Sequence, residues 1–427
     1  MIKVYLRTML PSVLAFAFSG VYAIVDGFFI GRYVGDAGLA SINLAYPMTA
    51  LLQAVGTGLG LGGAIHMSIA LGRGDREGLN RYVGSTVSLL LGACLLLFAV
   101  LWPAYPALLR LFGADGQVLA YAADYIRVII LGTGFQVLST GLAPVFRNLD
   151  KALFAMAAMI VGFFTNILLD YLMIGVWGMG MAGAALATIL GQGATAVLCI
   201  GMLVRTLRGT PLRQMKPSAW AAARILRTGI SPFGLTLSPN LIILLVNLAA
   251  VRHGGDLAVA AYAVVSYVAC VIQLILQGVG DGSQPMISRL IGENDEKSAR
   301  LICKIAYGIA LGAAAAFAGL TILGRGFLPA VFGVSAEAAV MIQRMLMLVA
   351  IGYPAIAFVR VTISYFYSVG HDRYAYVLVY GEPLTLAVLQ WILPSLIGLN
   401  GVWIAIPAAQ LLLCALAFCF RRRVLAK

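Results

Sequence analysis

Long apolar stretches alternate with short polar segments along all 427 residues of the chain. A helix needs about 20 consecutive apolar residues to cross the hydrocarbon core of a bilayer, and these stretches are long enough. The pattern predicts an all-α integral membrane protein with twelve spans, whose approximate limits are 8–31, 41–70, 83–109, 118–145, 152–176, 181–204, 225–251, 257–290, 301–323, 337–368, 374–397 and 401–420.

The first apolar stretch follows Lys3 and Arg7, as the apolar core of a signal peptide follows basic residues. It continues through Asp26 to Ile30, which is longer than a typical signal core, and eleven more predicted spans follow. We therefore interpret it as the first membrane span.

Composition supports a membrane protein, because 62% of the residues are hydrophobic and only 11% are charged. An average soluble protein has about 25% charged residues.

With both termini in the cytoplasm, 22 of the 29 Lys and Arg residues fall on the inner face and six on the outer face, while Arg360 lies inside a span. This asymmetry follows the positive-inside rule. It predicts a multi-pass protein of the cell (inner or plasma) membrane, and the net charge of +13 then requires no nucleic-acid partner.

The six cysteines lie in or beside apolar spans, and none forms a CxxC pair. We interpret them as small packing residues, because neither a disulfide framework nor a zinc site has this spacing. No cofactor is expected, and the expected state is a monomer in the lipid bilayer.

The chain repeats itself at a distance of about 220 residues. The stretch GTGLGLGGAIHMSIALGRGD at 56–75 aligns with QGVGDGSQPMISRLIGEND at 277–295. The aligned residues include the pairs Ser68 and Ser288, Gly72 and Gly292, and Asp75 and Asp295. Each repeat holds six spans, an even number, so both insert in the same direction and an axis along the membrane normal should relate them. We predict two six-helix bundles, 1–206 and 223–427, joined by a basic cytoplasmic linker at 207–222.

Motifs along most of the chain resemble the MATE (multidrug and toxic compound extrusion) transporters. They are YAIVDGFFIGRYVG (22–35), SIALGRGDREG (68–78), FGLTLSPNLIILLVNLAA (233–250), GVGDGSQPMISRLIGEND (278–295), SVGHDRYAY (368–376) and GLNGVWIAIPAAQ (398–410). The resemblance implies an antiporter that exchanges a cation for organic compounds by alternating access between the two bundles.

Four acidic residues lie inside predicted spans, and they are Asp26, Asp170, Asp281 and Glu382. A carboxylate at the bilayer centre costs at least ~2.5–3.5 kcal/mol on insertion scales. The resemblance implies a cation site in the amino-terminal bundle, made by Asp26, Asn166, Asp170 and Thr188. Asn166 and Asp170 are four residues apart and share a helix face. Two converging carboxylates in a low dielectric need a proton or a bound cation between them.

Two alternatives remain open at this site. The acids could instead pair with Lys151 or an Arg in a static network, although no basic residue lies within the first, fifth or sixth span at matching depth. The coupling ion could be H⁺ or Na⁺. Many relatives carry Asn where this chain has Ala23, and Pro where it has Tyr171. Because an amide oxygen is lost at Ala23, we expect H⁺ coupling ahead of Na⁺.

The second half has a less clear polar site. Glu382 precedes Pro383, Asp281 lies between two glycines, and Arg360 could pair with either acid. These residues form either a second proton or substrate site, or an ion pair that stabilises the bundle. His66 is interpreted as a packed, neutral histidine.

Three functions are compatible with these features. A cation-coupled exporter of cationic or amphipathic compounds is favoured, since plentiful aromatic and methionine side chains can line a cavity for lipophilic cations. A lipid-linked sugar flippase of the same superfamily is the alternative. An intramembrane enzyme is not expected, because no HExxH, GxSxG or paired protease aspartate motif is present.

Overall fold

The computed structural model describes residues 1–208, 211–331 and 334–425, and this part of the chain is α-helical without a β-strand. The all-α prediction is therefore confirmed. The helices are α1 (Ile2–Tyr33), α2 (Asp36–Gly72), α3 (Arg76–Leu111), α4 (Gly116–Leu131), α5 (Thr133–Asn148), α6 (Ala152–Asp170), α7 (Gly180–Thr206), α8 (Ala219–Gly292), α9 (Glu296–Gly324), α10 (Leu328–Val331), α11 (Ala336–Ser368), α12 (Asp372–Ile397) and α13 (Leu399–Leu425).

The number of membrane crossings agrees with the apolar pattern. Ten helices of the described residues are long and apolar enough to span a bilayer, and α4 and α5 together could form an eleventh crossing. Helix α8 has 74 residues and breaks at Gly255, where φ is 63° and ψ is −160°. At 1.5 Å per residue it would be about 110 Å long, against a hydrocarbon core of about 30 Å. It therefore supplies two crossings, 219–254 and 256–292, and the total becomes twelve.

The predicted fourth span, 118–145, is not one straight helix. It is split into α4 and α5, which meet at Gly132 at an angle of 60°. A Cβ atom at Gly132 would lie only 2.4 Å from the side chain of Ile189 on α7. The bend thus falls where the backbone packs closely against a neighbouring helix, and an apolar pattern does not reveal such a contact.

Helices pack mainly against partners from the same side of the linker. Before the linker, α2 contacts α3, α4 and α5, and α6 contacts α1 and α7. After it, α11 contacts α8, α9, α12 and α13. Contacts between the two halves involve mainly α8, which packs against α1 and α2.

Small residues allow the halves to approach closely. A Cβ atom at Gly72 would lie 2.1 Å from the carbonyl oxygen of Arg289, and one at Gly292 would lie 3.0 Å from the Cα of Gly72. Gly278 and Gly282 of α8 likewise pack on the backbone of α1. In these contacts the last turns of α8 pack against the first half of α1 and against the end of α2. We call this the linker end of the molecule, because the segment 211–218 lies there.

Interior glycines of α2 should be intolerant of any side chain. A Cβ atom at Gly60 would lie 2.0 Å from the carbonyl oxygen of Gly141 on α5, so Gly60→Ala forces two helices apart. Overpacking of this kind costs typically ~1–3 kcal/mol. We expect a lower unfolding temperature for the purified variant in detergent. The matched control is Gly92→Ala on α3, where a Cβ atom meets nothing within 4 Å; equal unfolding temperatures for the two variants would contradict this packing.

Candidate functional site

Four residues from three helices come together in the first half. Asp26 lies toward the end of α1, Asn166 and Asp170 lie on α6, and Thr188 lies on α7. The carboxyl groups of Asp26 and Asp170 lie next to each other. The Nδ2 atom of Asn166 is 3.5 Å from the Oγ1 atom of Thr188. The structure thus places the four residues implied by the family resemblance in one cluster, which we call the acidic cluster.

The local backbone of α6 explains how two polar groups face inward. Asn166 and Asp170 are 2% and 0% exposed, whereas Leu168 between them is 59% exposed. The α-helical hydrogen bonding ends at Asp170, and a π-helix follows over Tyr171–Val176. Single π-helical turns are rare and frequently occur at functional sites. Tyr171, which stands where many relatives have Pro, is the first residue of this wider turn.

The acidic cluster contains buried acceptors that lack donors. Oδ1 of Asp26, Oδ1 of Asn166 and both carboxylate oxygens of Asp170 are buried and have no hydrogen-bond partner. A buried polar group left without a partner costs roughly 1–3 kcal/mol, and more when it is charged. A shared proton or a bound cation would satisfy these oxygens. Chemically, the cluster is therefore suited to hold a small positive charge.

A static ion pair does not satisfy the two acids. Within residues 1–208, 211–331 and 334–425, no Lys or Arg nitrogen lies within 4.0 Å of a carboxylate oxygen of Asp26 or Asp170. Lys151 instead donates to the hydroxyl of Thr206, at 2.5 Å. No group of three or more His, Cys, Asp and Glu side chains is gathered at one point in the same ranges. A metal cation at the acidic cluster would therefore need neutral oxygens as ligands. The side chain of Ala23, where many relatives carry Asn, lies outside the part of the chain that the structure describes.

Two tyrosines complete the acidic cluster, and sequence reasoning did not identify them as site residues. The hydroxyl groups of Tyr22 and Tyr125 both lie beside the hydroxyl of Thr188. Tyr22 precedes Asp26 by one helical turn and stacks on Phe163, with ring centroids 5.1 Å apart. The four-residue spacing to Asp26 could have indicated Tyr22. Tyr125 reaches the cluster from α4, and no local spacing signals that approach.

The polar residues of the second half do not form a single site. Nη2 of Arg360 and Oε2 of Glu382 are 3.7 Å apart, and both side chains are buried. Asp281 is held separately, because its Oδ1 accepts hydrogen bonds from Gln277 and from the hydroxyl of Tyr367, each at 2.8 Å. A cavity of about 10 Å³ beside the Arg360–Glu382 pair has room for one water molecule. Of the pairings left open by the sequence, the geometry favours Arg360 with Glu382.

His66 is packed between aromatic and polar neighbours. Its ring stacks on Tyr82 with centroids 5.0 Å apart, and its Nε2 is 3.2 Å from the hydroxyl oxygen of Thr228. Thr228 lies near the start of α8, in the second half, so His66 contributes to the contact between the halves.

Comparisons with known proteins agree with one another. The MatE family model matches residues 11–172 and 235–392. The multidrug export protein MepA of Staphylococcus haemolyticus (strain JCSC1435) is 25% identical over 412 residues, covering 94% of this chain and 88% of that protein. MepA of Staphylococcus aureus (strain MSSA476) is 26% identical over 290 residues, covering 67% of this chain. That match spans only 64% of the S. aureus protein.

Solved structures share the fold. An outward-facing multidrug resistance MATE family transporter of the MOP superfamily superposes with a TM-score of 0.93 at 24% identity, over 99% of this chain and 96% of that one. A MOP superfamily transporter from Pyrococcus furiosus Vc1 (DSM3638), described as having a binding pocket of reverse polarity, gives the same TM-score, identity and coverage.

The Arg360–Glu382 pair should be mutually dependent. Glu382→Gln leaves a buried guanidinium without its counter-charge, and breaking a buried pair costs up to about 3–5 kcal/mol. We therefore expect a clear fall in the unfolding temperature. The double variant Arg360→Met/Glu382→Gln removes both charges and should recover most of that loss. Additive losses in this double-mutant cycle would show that the two side chains do not interact.

Proposed function

We propose that this chain, which belongs to the MatE family of multidrug efflux transporters, exports organic compounds in exchange for a cation. The observation that carries the proposal is the convergence of Asp26 and Asp170, with buried oxygens that have no donor. The exported compounds are proposed to be cationic or amphipathic, as for an exporter with an aromatic-rich interior. The relatives are multidrug exporters by name, so a sugar flippase is not favoured.

Coupling requires that occupancy of the acidic cluster influences the contact between the halves. Helix α1 provides a physical link, because it carries Asp26 near one end and packs on α8 near the other. A Cβ atom at Gly282 would lie 2.9 Å from the Cα of Met9, and one at Gly278 would lie 2.8 Å from the Cα of Val13. A shift of α1 that accompanies loss of the bound cation would therefore change its contacts with α8 at the linker end.

The proposed architecture consists of two six-helix bundles, 1–206 and 223–427, related by a pseudo-two-fold axis along the membrane normal. The close approach of Gly72 and Gly292 supports it, since these residues occupy equivalent positions in the repeat. Equivalent residues meet each other only near a two-fold axis. The positive-inside rule places both termini and the linker end in the cytoplasm. The closed linker end then corresponds to an outward-facing transporter, a monomer within the bilayer.

A proton is proposed as the coupling ion ahead of Na⁺. One proton shared between Asp26 and Asp170 neutralises the site without further ligands. A sodium ion would need several oxygens besides the carboxylates, and among the described side chains of the acidic cluster these would come from Asn166, Thr188 and the two tyrosines.

Removing either carboxylate should abolish coupled export. We expect Asp26→Asn and Asp170→Asn to reduce ethidium efflux from cells to the level of cells without the transporter, with expression unchanged, because an amide cannot release and rebind a proton. The matched control is Asp36→Asn, an exposed acid at the start of α2, which should keep normal efflux. Normal efflux by either cluster variant would show that the acidic cluster is not the coupling site.

The coupling ion can be identified in everted membrane vesicles. A lumen-acid pH gradient imposed in Na⁺-free buffer should drive ethidium into the vesicles, and collapsing that gradient should stop uptake. If uptake is absent under these conditions and begins when only a Na⁺ gradient is supplied, the acidic cluster is a sodium site.

A further inference from the structure

Arg147 is a buried cation at the linker end. It is one of the 22 Lys and Arg residues that the positive-inside rule assigns to the inner face, yet the residue is only 8% exposed. Its Nε has no hydrogen-bond partner, and no carboxylate oxygen of the described chain lies within 4.0 Å of its guanidinium. Instead, the guanidinium lies over the ring of Phe16, 5.6 Å from its centroid. Retaining such a charge requires a compensating interaction.

The neighbours of Arg147 place it opposite α8. The adjacent Asn148 donates a hydrogen bond to Gln284 and accepts one from it, at 3.0 and 2.9 Å. Gln284 lies one helical turn after Asp281. Phe16, which lies beneath the guanidinium, also contacts α8. Its side chain is 3.3 Å from the position that a Cβ atom would take at Gly278, one turn before Asp281.

Asp281 is the buried acid on this part of α8. It is 4% exposed, and the positive charge of Arg147 acts on it more strongly than that of Arg360, although Arg147 and Asp281 are not in ion-pair contact. Gln277 and Tyr367 hold its Oδ1 in place from within the second half. Both of these hydrogen bonds are made to Oδ1, and both donors belong to the second half. The two charges thus belong to different halves, and Asp281 lies where α8 packs on α1, between Gly278 and Gly282.

The internal repeat shows that this pairing occurs once. A shift of 220 residues takes Arg147 to Tyr367 and Leu61 to Asp281. The symmetry-related position across the axis therefore combines Tyr367 with Leu61, neither of which carries a charge at neutral pH. Asp150 and Arg289 form an ion pair between the halves at this end, and that pair is largely exposed. Water and salt screen such a surface pair, and it contributes little.

We propose that Arg147 and Asp281 form an electrostatic clasp that keeps the linker end closed and sets the balance between the two access states. This inference rests on the proposed alternating-access function. In the closed state each charge offsets the burial cost of the other. When the linker end opens, α5 and α8 separate, and water solvates both groups. Removing one partner therefore penalises only the closed state, because only there does the remaining charge stay buried without compensation.

The test measures distances between spin labels on the full-length chain, after replacement of its six native cysteines. One label pair, Glu77→Cys with Glu296→Cys, reports on the linker end, since both sites are exposed first-turn residues of α3 and α9. A second pair, Leu111→Cys with Leu323→Cys, lies at the opposite ends of the same helices, where both residues are exposed. Opening of the linker end lengthens the first distance and shortens the second.

Asp281→Asn and Arg147→Gln are each expected to raise the ratio of open to closed linker-end populations by about tenfold or more. The double variant Arg147→Gln/Asp281→Asn should return toward the wild-type ratio, because no unpaired charge remains. Arg147→Lys keeps the charge and should resemble the wild type. The matched control is Glu382→Gln, which also removes a buried acid but leaves its partner Arg360 unpaired within the same half. It should not shift the distances.

Three results would overturn the clasp. They are unchanged distances in both single variants, a shift of equal size in Glu382→Gln, or single-variant effects that add in the double variant. If one of the single variants aggregates, the charge-conserving single variants Arg147→Lys and Asp281→Glu are measured in its place. A shift of the label distances in either of them would also count against the clasp, because both retain the charge. Ethidium efflux by the wild type is measured in parallel. If the wild type exports no ethidium while the distances respond as expected, the proposed function fails and the clasp stands.

Discussion

Two carboxylates brought together inside a membrane protein set the main physical constraint on this structure. Neither Asp26 nor Asp170 has a basic partner within 4.0 Å in the described chain, and burial makes the doubly ionised state expensive. The surrounding polar groups do not remove that cost. Asn166 and Thr188 interact mainly with each other, and the tyrosine hydroxyls approach Thr188. The folded state is thus most stable when a positive charge from outside the polypeptide occupies the acidic cluster. Such a site changes its energy with occupancy, which a coupled transporter requires.

The second half treats its buried charges differently. Arg360 and Glu382 compensate each other within one bundle, and Asp281 is anchored by Gln277 and Tyr367. At the position equivalent to Asp26 under the repeat, the second half has the fully buried Val246. The repeat therefore supplies a common scaffold, but the paired acids Asp26 and Asp170 of the first half have no counterpart at the position of Val246. This asymmetry supports the proposal that cation exchange takes place in the first half.

The fold was largely predictable from the sequence, because hydrophobic length and charge asymmetry act over whole segments. Twelve crossings and the all-α class follow from those two features. The bend at Gly132 did not follow, since it depends on contact with Ile189 from a distant helix. The acidic cluster was identified from spacing and family resemblance, and the structure brings its four residues together. Tyr125 could not be identified, because its approach to Thr188 is a tertiary contact without a local pattern. The burial of Arg147 could not be predicted for the same reason, because its depth depends on how α5, α1 and α8 pack.

Close helix packing determines how the remaining charges can act. The glycines at the boundary between the halves bring backbones within van der Waals contact, and they leave little room for water between α2 and α8. A charge at such a boundary is either paired or costly, whereas the same charge in an open boundary is solvated at little cost. The packing of small residues therefore converts a modest separation of helices into a large change in electrostatic energy. In the proposed clasp, the glycine contacts between α2 and α8 supply the tight closure, and the buried charges of Arg147 and Asp281 bias it toward the closed state. A membrane transporter needs both properties, because a boundary held only by extensive apolar contact would be too stable to open in each cycle.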